Sequence, residues 1–206
     1  LLTDNLLDIK NWKKVSDDTS EFLSQYHDIP FKGEVPENIT PNSPVRNYPY
    51  YMNFAGERLL ITGGGHIANR LDRPGTIMTF ENNTWNSFQE EGISEQTKHR
   101  YDDINCIVQD PKDIAHHFAA SAGEGIYEFK DGKFINWYSM HNSPLESAVP
   151  NEPWADSYVR VNGLIYDKEN NLWMVSCETQ HAVSVLMKNG DWASLHYPEI
   201  VKASNF

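Results

Sequence analysis

The sequence predicts an all-β chain: a β-propeller of four-stranded antiparallel blades, with about three blades and part of a fourth present, as a segment of a larger ring. Three observations predict it. An apolar run that ends in a turn recurs at a fixed interval, tight-turn residues fall at matching points of each interval, and the composition is rich in turn formers and rings, with 12 Gly, 11 Pro and 12% aromatic residues in 206.

The first element of the repeat is apolar. Ile104-Asn105-Cys106-Ile107-Val108-Gln109-Asp110 lies over Val161-Asn162-Gly163-Leu164-Ile165-Tyr166-Asp167, an offset of 57 from position 104 to 161. Both runs end in residues that bond their own backbone or preset φ, Asp110-Pro111-Lys112-Asp113 and Asp167-Lys168-Glu169-Asn170-Asn171. The second element follows, with His117-Phe118-Ala119-Ala120-Ser121 matching Leu172-Trp173-Met174-Val175-Ser176.

The third and fourth elements form a hairpin seen in all three intervals. Phe129-Lys130-Asp131-Gly132-Lys133-Phe134 matches Met187-Lys188-Asn189-Gly190-Asp191-Trp192 and Phe80-Glu81-Asn82-Asn83-Thr84-Trp85. Asp-Gly, Asn-Gly and Asn-Asn tolerate the positive φ that two-residue hairpin turns require. In the third strand Gly125, Tyr127 and Phe129 share one face and Ile126 and Glu128 the other, as stacked sheets demand. The intervals place blades at about 47–103, 104–160 and 161–206.

Residues 1–46 read as a partial blade and a Pro-rich connector. Asp8-Ile9-Lys10-Asn11-Trp12 fits the turn and fourth strand of an earlier blade, and Thr19–Tyr26 fits one or two turns of helix with Phe22, Leu23 and Tyr26 on one face. The stretch 36–49 is connector. Propellers close with four to eight blades, so an arc of three implies either remaining blades on a longer chain or self-association of copies. The chain opens on Leu1, without a basic head or apolar stretch, and reads as a mature or trimmed piece of a longer protein.

These repeats carry a family resemblance. Asp167-Lys168-Glu169-Asn170-Asn171-Leu172-Trp173 resembles the Asp-x-x-Gly-Asn-Leu-Trp signature of the two-component regulator propeller repeat, with Asn170 where that family usually has Gly. Gly123-Glu124-Gly125-Ile126-Tyr127-Glu128-Phe129 resembles its Gly-(Ile/Leu)-Tyr-x-(Phe/Tyr) third strand, and with Asn142–Ser147 and Val159–Asp167 the chain is most similar to the PorZ-like surface proteins of the Bacteroidetes, linked to type IX secretion. The first interval keeps Leu59-Leu60-Ile61-Thr62-Gly63 but lacks the Asn-Leu-Trp signature. The resemblance implies a periplasmic or cell-surface location and a non-catalytic recognition or assembly role, with glycan or lipopolysaccharide as ligand. The same repeat also occurs as the periplasmic, glycan-recognising sensor region of hybrid two-component histidine kinases, which is the alternative.

Charge narrows the partners. With 29 acidic and 17 basic side chains the formal net charge is −12, which disfavours nucleic acid and anionic membrane surfaces. Cys106 and Cys177 match no metal spacing and read as small apolar fillers.

Alternating strands put the tight turns on one end of the blades and the long loops on the other. The long loops are Gly63–Gly75, Gln89–Asp103, Asn142–Tyr158 and the shorter Glu178–Ala182. Binding residues gather on such loops because extra length there costs little stability. The candidate ligand-binding residues are His66, Arg70, Arg100, Tyr101, Trp154 and Arg160, with Arg73, His99, His141 and His181 beside them. Arginine suits bidentate recognition of carboxylate or phosphate, and tryptophan stacks on sugars. The competing reading is that these side chains solvate loops or fill the seams between blades.

No cofactor, metal or catalytic residue is expected. His116 and His117 point to opposite faces of a strand, Gly63-Gly64-Gly65 lacks the phosphate-loop spacing and reads as a wide turn, and Asp102-Asp103 lacks a calcium ladder and reads as solvated loop. Arg70, Arg100, Arg160, Tyr101 and Asp103 are fragments of a sialidase-like inventory, but nothing in the sequence orders them into a site.

Overall fold

The computed structural model describes residues 42–65, 70–197 and 199. The chain divides into Leu1–Asn42 and Ser43–Phe206, and the description concerns the second unit. The readings of Asp8–Trp12, Thr19–Tyr26 and positions 36–41 lie outside the described residues, as does His66.

Three four-stranded antiparallel sheets follow one another along the chain, each a meander in sequence order. Blade 1 holds β1 (Tyr51–Ala55), β2 (Arg58–Thr62), β3 (Ile77–Glu81) and β4 (Thr84–Ser87). Blade 2 holds β5 (Ile104–Asp110), β6 (Asp113–Ser121), β7 (Ile126–Lys130) and β8 (Lys133–Tyr138). Blade 3 holds β9 (Val161–Tyr166), β10 (Leu172–Ser176), β11 (Val183–Leu186) and β12 (Trp192–Leu195). The first strands β1, β5 and β9 lie against one another, which sets the blades side by side about their inner strands.

Turn chemistry fixes the hairpins. Asn82 and Asn83 have φ of 50° and 58°, and Asp131 and Gly132 have 52° and 71°, so both loops put two successive residues in the left-handed region that matches strand twist. In the third hairpin Gly190 takes φ 89°, with its amide bonded to the Met187 carbonyl at 2.8 Å.

Blade 2 is covered on both faces. Ile107, Ala119, Tyr127 and Phe129 join Leu60, Ile77 and Phe88 in the seam with blade 1. Cys106, Phe118, Ala120 and Ile126 join Val161, Leu172 and Met174 in the seam with blade 3. The strand alternation read from Tyr127 and Phe129 against Ile126 therefore separates two cores rather than a core and a surface.

The long loop after blade 1 contains one turn of helix, α1 (Ile93–Thr97), which the sequence pattern did not signal. Gly92 and Lys98 bracket it in the left-handed region, and buried Ile93 anchors it in the first seam. A short 3-10 turn, Ala155–Tyr158, precedes β9.

Close backbone approaches tie the blades at the loop end. The Gly64 amide donates to the Ile104 carbonyl at 2.7 Å, and a Cβ at Gly64 would sit 2.2 Å from that same oxygen, so this approach requires glycine. The wide turn expected at Gly63-Gly64-Gly65 is thus a seam between β2 and β5. Between blades 2 and 3, the Gly125 amide donates to the Val159 carbonyl at 2.9 Å and Asn105 Nδ2 donates to the Val161 carbonyl at 2.9 Å.

Candidate functional site

The long loops do not stand apart; buried carboxylates knit them together. Asp103, fully buried at the entrance to β5, accepts the backbone amides of Leu71, Asp72 and Arg73 at 2.9, 3.0 and 3.2 Å, which pins the β2–β3 loop. The solvated loop expected at Asp102-Asp103 is therefore corrected to a buried anchor. A carboxylate can hold a loop this way because three amide dipoles replace its lost hydration.

Arg70 sits at the centre of this network. Its Nη2 lies 3.0 Å from Glu124 Oε1 and 3.4 Å from Asp102 Oδ1, and its Nη1 donates to the Ser157 carbonyl at 2.9 Å. One guanidinium thus joins the β2–β3 loop, the segment before β5, the β6–β7 turn and the β8–β9 loop. Glu124 also lies 3.4 Å from His99 Nδ1, while its backbone carbonyl accepts Trp137 Nε1 at 2.5 Å. The His99 ring stacks on Trp137 with centroids 4.4 Å apart.

Arg100 faces outward from the same network. Its Nη2 donates to Asp72 Oδ1 at 2.6 Å and lies 2.5 Å from Asp102 Oδ2, the latter an ionic approach without hydrogen-bond alignment. Burial pushes the Asp102 carboxyl up from its ordinary value, against the pull of Arg70 and Arg100. Tyr127 holds the strand below by donating its hydroxyl to the Arg100 carbonyl at 2.7 Å.

Together Asp72, Pro74, Ser94, His99, Arg100 and Asp102 line an open depression of about 640 Å³, with Tyr101 as its floor. The Tyr101 ring itself belongs to the first seam. It meets Tyr127 edge-on at 4.9 Å, and it fits because Gly75 has no side chain, where a Cβ would be 2.5 Å from the ring. Burial raises its hydroxyl well above the ordinary range.

The structure brings Arg70, Arg100 and Tyr101 into one cluster. Arg160 makes a separate pair with Glu178, its guanidinium 4.8 Å over the Tyr158 ring. Trp154 is exposed in the β8–β9 loop, two residues before Asp156, which pairs with His141 at 2.7 Å. Arg73 lies 5.0 Å over the Tyr48 ring, and His181 pairs with Glu146 at 2.5 Å.

Sequence reasoning missed Glu124, Asp72, Trp137 and Ser157. The one available signal was Glu124 itself, a carboxylate between two glycines in the short β6–β7 turn. The arginine reading also changes. Arg70, Arg100 and Arg160 each meet a carboxylate, so the long loops carry matched charges around these arginines rather than bare cations, while Arg58 pairs with Glu81 at the tight-turn end. The sialidase-like inventory does not converge either, since Asp103 is occupied by backbone amides and Arg160 by Glu178. Among the described residues no group of three His, Cys, Asp or Glu is placed to hold a metal ion.

No family model and no curated protein matches this chain. Among solved structures it is similar to PorZ of Porphyromonas gingivalis, described as an essential bacterial surface component of the type-IX secretion system, with a TM-score of 0.69 and 24% identity. The match covers 84% of this chain and 23% of that one, so the chain spans under a quarter of the neighbour's length. At that identity the likeness establishes the fold: the three sheets are blades of a β-propeller.

Proposed function

We propose that this chain is a non-catalytic recognition module of a bacterial surface or periplasmic protein, of the type IX secretion-associated kind, and that it takes a glycan at the long-loop end. The likeness to PorZ supports the cellular setting. The observation that carries the ligand reading is the Arg70–Arg100 lattice with its exposed Arg100–Asp72 pair.

Such a surface suits hydroxyl groups. Each sugar hydroxyl donates and accepts, and a guanidinium beside a carboxylate offers both functions at fixed spacing. The aromatic faces of His99 on Trp137, and exposed Trp154, supply apolar contact to a sugar ring. A free phosphate is a poorer match, because Arg70 and Arg100 already satisfy Glu124, Asp102 and Asp72. For lipopolysaccharide the saccharide portion is the part this lattice fits.

A glycan panel including lipopolysaccharide, followed by calorimetry, tests the proposal. Truncating Arg100, Asp72 and Trp154 to alanine should abolish binding while thermal unfolding is retained. Unchanged affinity in a folded triple variant would remove the loop end from consideration.

A further inference from the structure

We infer that the tight-turn end of the seam between blades 2 and 3 is a binding site for an organic cation, a guanidinium on an aliphatic stem. It lies at the opposite end of the blades from the proposed glycan surface and does not rest on that reading.

Here the two sheets part around a cleft of about 250 Å³. Its walls are aromatic, with Phe118 and Tyr138 from blade 2 and Tyr166 and Trp192 from blade 3. Its acidic lining is Asp110 and Glu128, with His116 between them: His116 Nε2 lies 2.6 Å from Glu128 Oε1, and Nδ1 lies 3.5 Å from Asp110 Oδ2. The Tyr138 hydroxyl donates to the other Glu128 oxygen at 2.9 Å.

One imidazolium at most therefore stands against two carboxylates, whose side chains are only 12% and 13% exposed. Among the described residues no lysine or arginine pairs with either of them. Lys188 borders the cleft from the exposed β11–β12 turn, without an ion pair to a described residue. Burial, and then neighbouring carboxylate charge, raises the hydroxyls of both Tyr138 and Tyr166, which marks a negative field in the cleft.

The first seam shows what fills such a place. Register pairs Leu59 with Phe80 and His117 with Phe129, and Phe80 matches Phe129 in the repeat, so Arg58 is the counterpart of His116. Arg58 bonds Glu81 through Nε and Nη2 at 3.1 and 2.8 Å. Its Nη1 then crosses to blade 2, donating to Gln109 Oε1 at 3.1 Å and to the Ile114 carbonyl at 2.7 Å. Gln109 is the counterpart of Tyr166. In the second seam His116 instead spends both ring nitrogens on carboxylates of its own blade, and the place a guanidinium takes one blade earlier is open space. A guanidinium from outside suits it, because each carboxylate keeps acceptor sites beyond its present partners and a planar cation stacks on aromatic faces.

Amide NMR titration of the full chain with n-propylguanidinium, and with the neutral, nearly isosteric n-propylurea, tests this. The guanidinium should bind saturably, shifting the amides of Asn170 and Gly190 and the Trp192 indole. The urea should bind at least about tenfold more weakly. Glu128→Gln should weaken the guanidinium about tenfold and leave the urea unchanged. Trp192→Ala should weaken the guanidinium about fivefold. Comparing the two probes on the wild type decides the matter even where a variant unfolds. An arginine-containing tripeptide that binds more tightly than free n-propylguanidinium assigns the cation to a partner polypeptide, and one that binds more weakly assigns it to a small molecule. Equal affinity for guanidinium and urea, shifts confined to residues 98–103, or no saturable shift at all would overturn the proposal.

Discussion

Arg70 and Glu124, 54 positions apart in the chain, meet with Nη2 3.0 Å from Oε1, and the Glu124 side chain is completely buried. A carboxylate in that position is tolerable because the guanidinium and the surrounding donors replace its hydration. The pair fastens the loop end of two blades, so it supports both stability and the shape of the depression.

Removing one partner should be costly. Arg70→Ala leaves Glu124 and Asp102 without their shared cation, and a loss of about 3–5 kcal/mol is expected in urea unfolding. Arg70→Lys should recover little of it, because an ammonium cannot reach Glu124 and the Ser157 carbonyl in the planar geometry of the guanidinium. The Arg70→Ala, Glu124→Ala double variant should lose less than the two single losses combined.

His117 should make the fold acid-sensitive. Its ring is buried edge-on to Phe88 at 4.8 Å, and neither ring nitrogen has a hydrogen-bond partner. Burial, and then the charge of Arg58, pushes its pKa from 6.5 down to about 4. The folded state therefore binds its proton less readily than the unfolded state. The stability is present above the unfolded value and is lost as pH falls towards 4, by up to about 3 kcal/mol. Its neighbour His116 behaves oppositely: a hydrogen bond to Glu128 raises its pKa, so its contribution is full at low pH and is lost as pH rises through the raised value. His117→Leu should flatten stability between pH 6.5 and 4, measured by thermal unfolding across that range.

Two glycines separate close approach from backbone conformation. Gly132→Ala meets no atom within 4 Å, so its cost is the left-handed φ of 71° alone, about 1–2 kcal/mol. Gly64→Ala drives a methyl to 2.2 Å from the Ile104 carbonyl and should also break the seam between β2 and β5. Hydrogen exchange should show the Gly64 variant opening at β5 and the Gly132 variant opening at its own hairpin.

The two thiols should differ in reactivity. Burial pushes Cys106 up to about 12, whereas Cys177 is half-buried and raised less. A thiol-exchange reagent should label Cys177 first, with Cys106 reacting at the rate of unfolding. Equal labelling of both in the native chain would contradict the described seam between blades 2 and 3.

The sequence made the blades legible because local chemistry determines them. Asn82-Asn83 and Asp131-Gly132 can occupy positive φ, and the run from Ile104 alternates to bury two faces, whereas the run from Val161 leaves Ile165 exposed. The site was less legible because it depends on pairings across loops that have no period. Nothing in Asp103 announces three amides from residues 71–73, and nothing in Glu124 announces Arg70. Tyr101 was read as a loop residue, yet its ring reaches the core through space that Gly75 leaves open, a relationship visible only once the segments 73–75 and 101–103 are bridged.

The most direct test of the recognition account is hydrogen–deuterium exchange of the chain with and without a bound saccharide from the panel. Protection should fall on residues 70–74 and 98–103, which frame the Arg100–Asp72 pair. Protection confined to the hairpin turns at 82–83 and 131–132, or none on any loop, would contradict it.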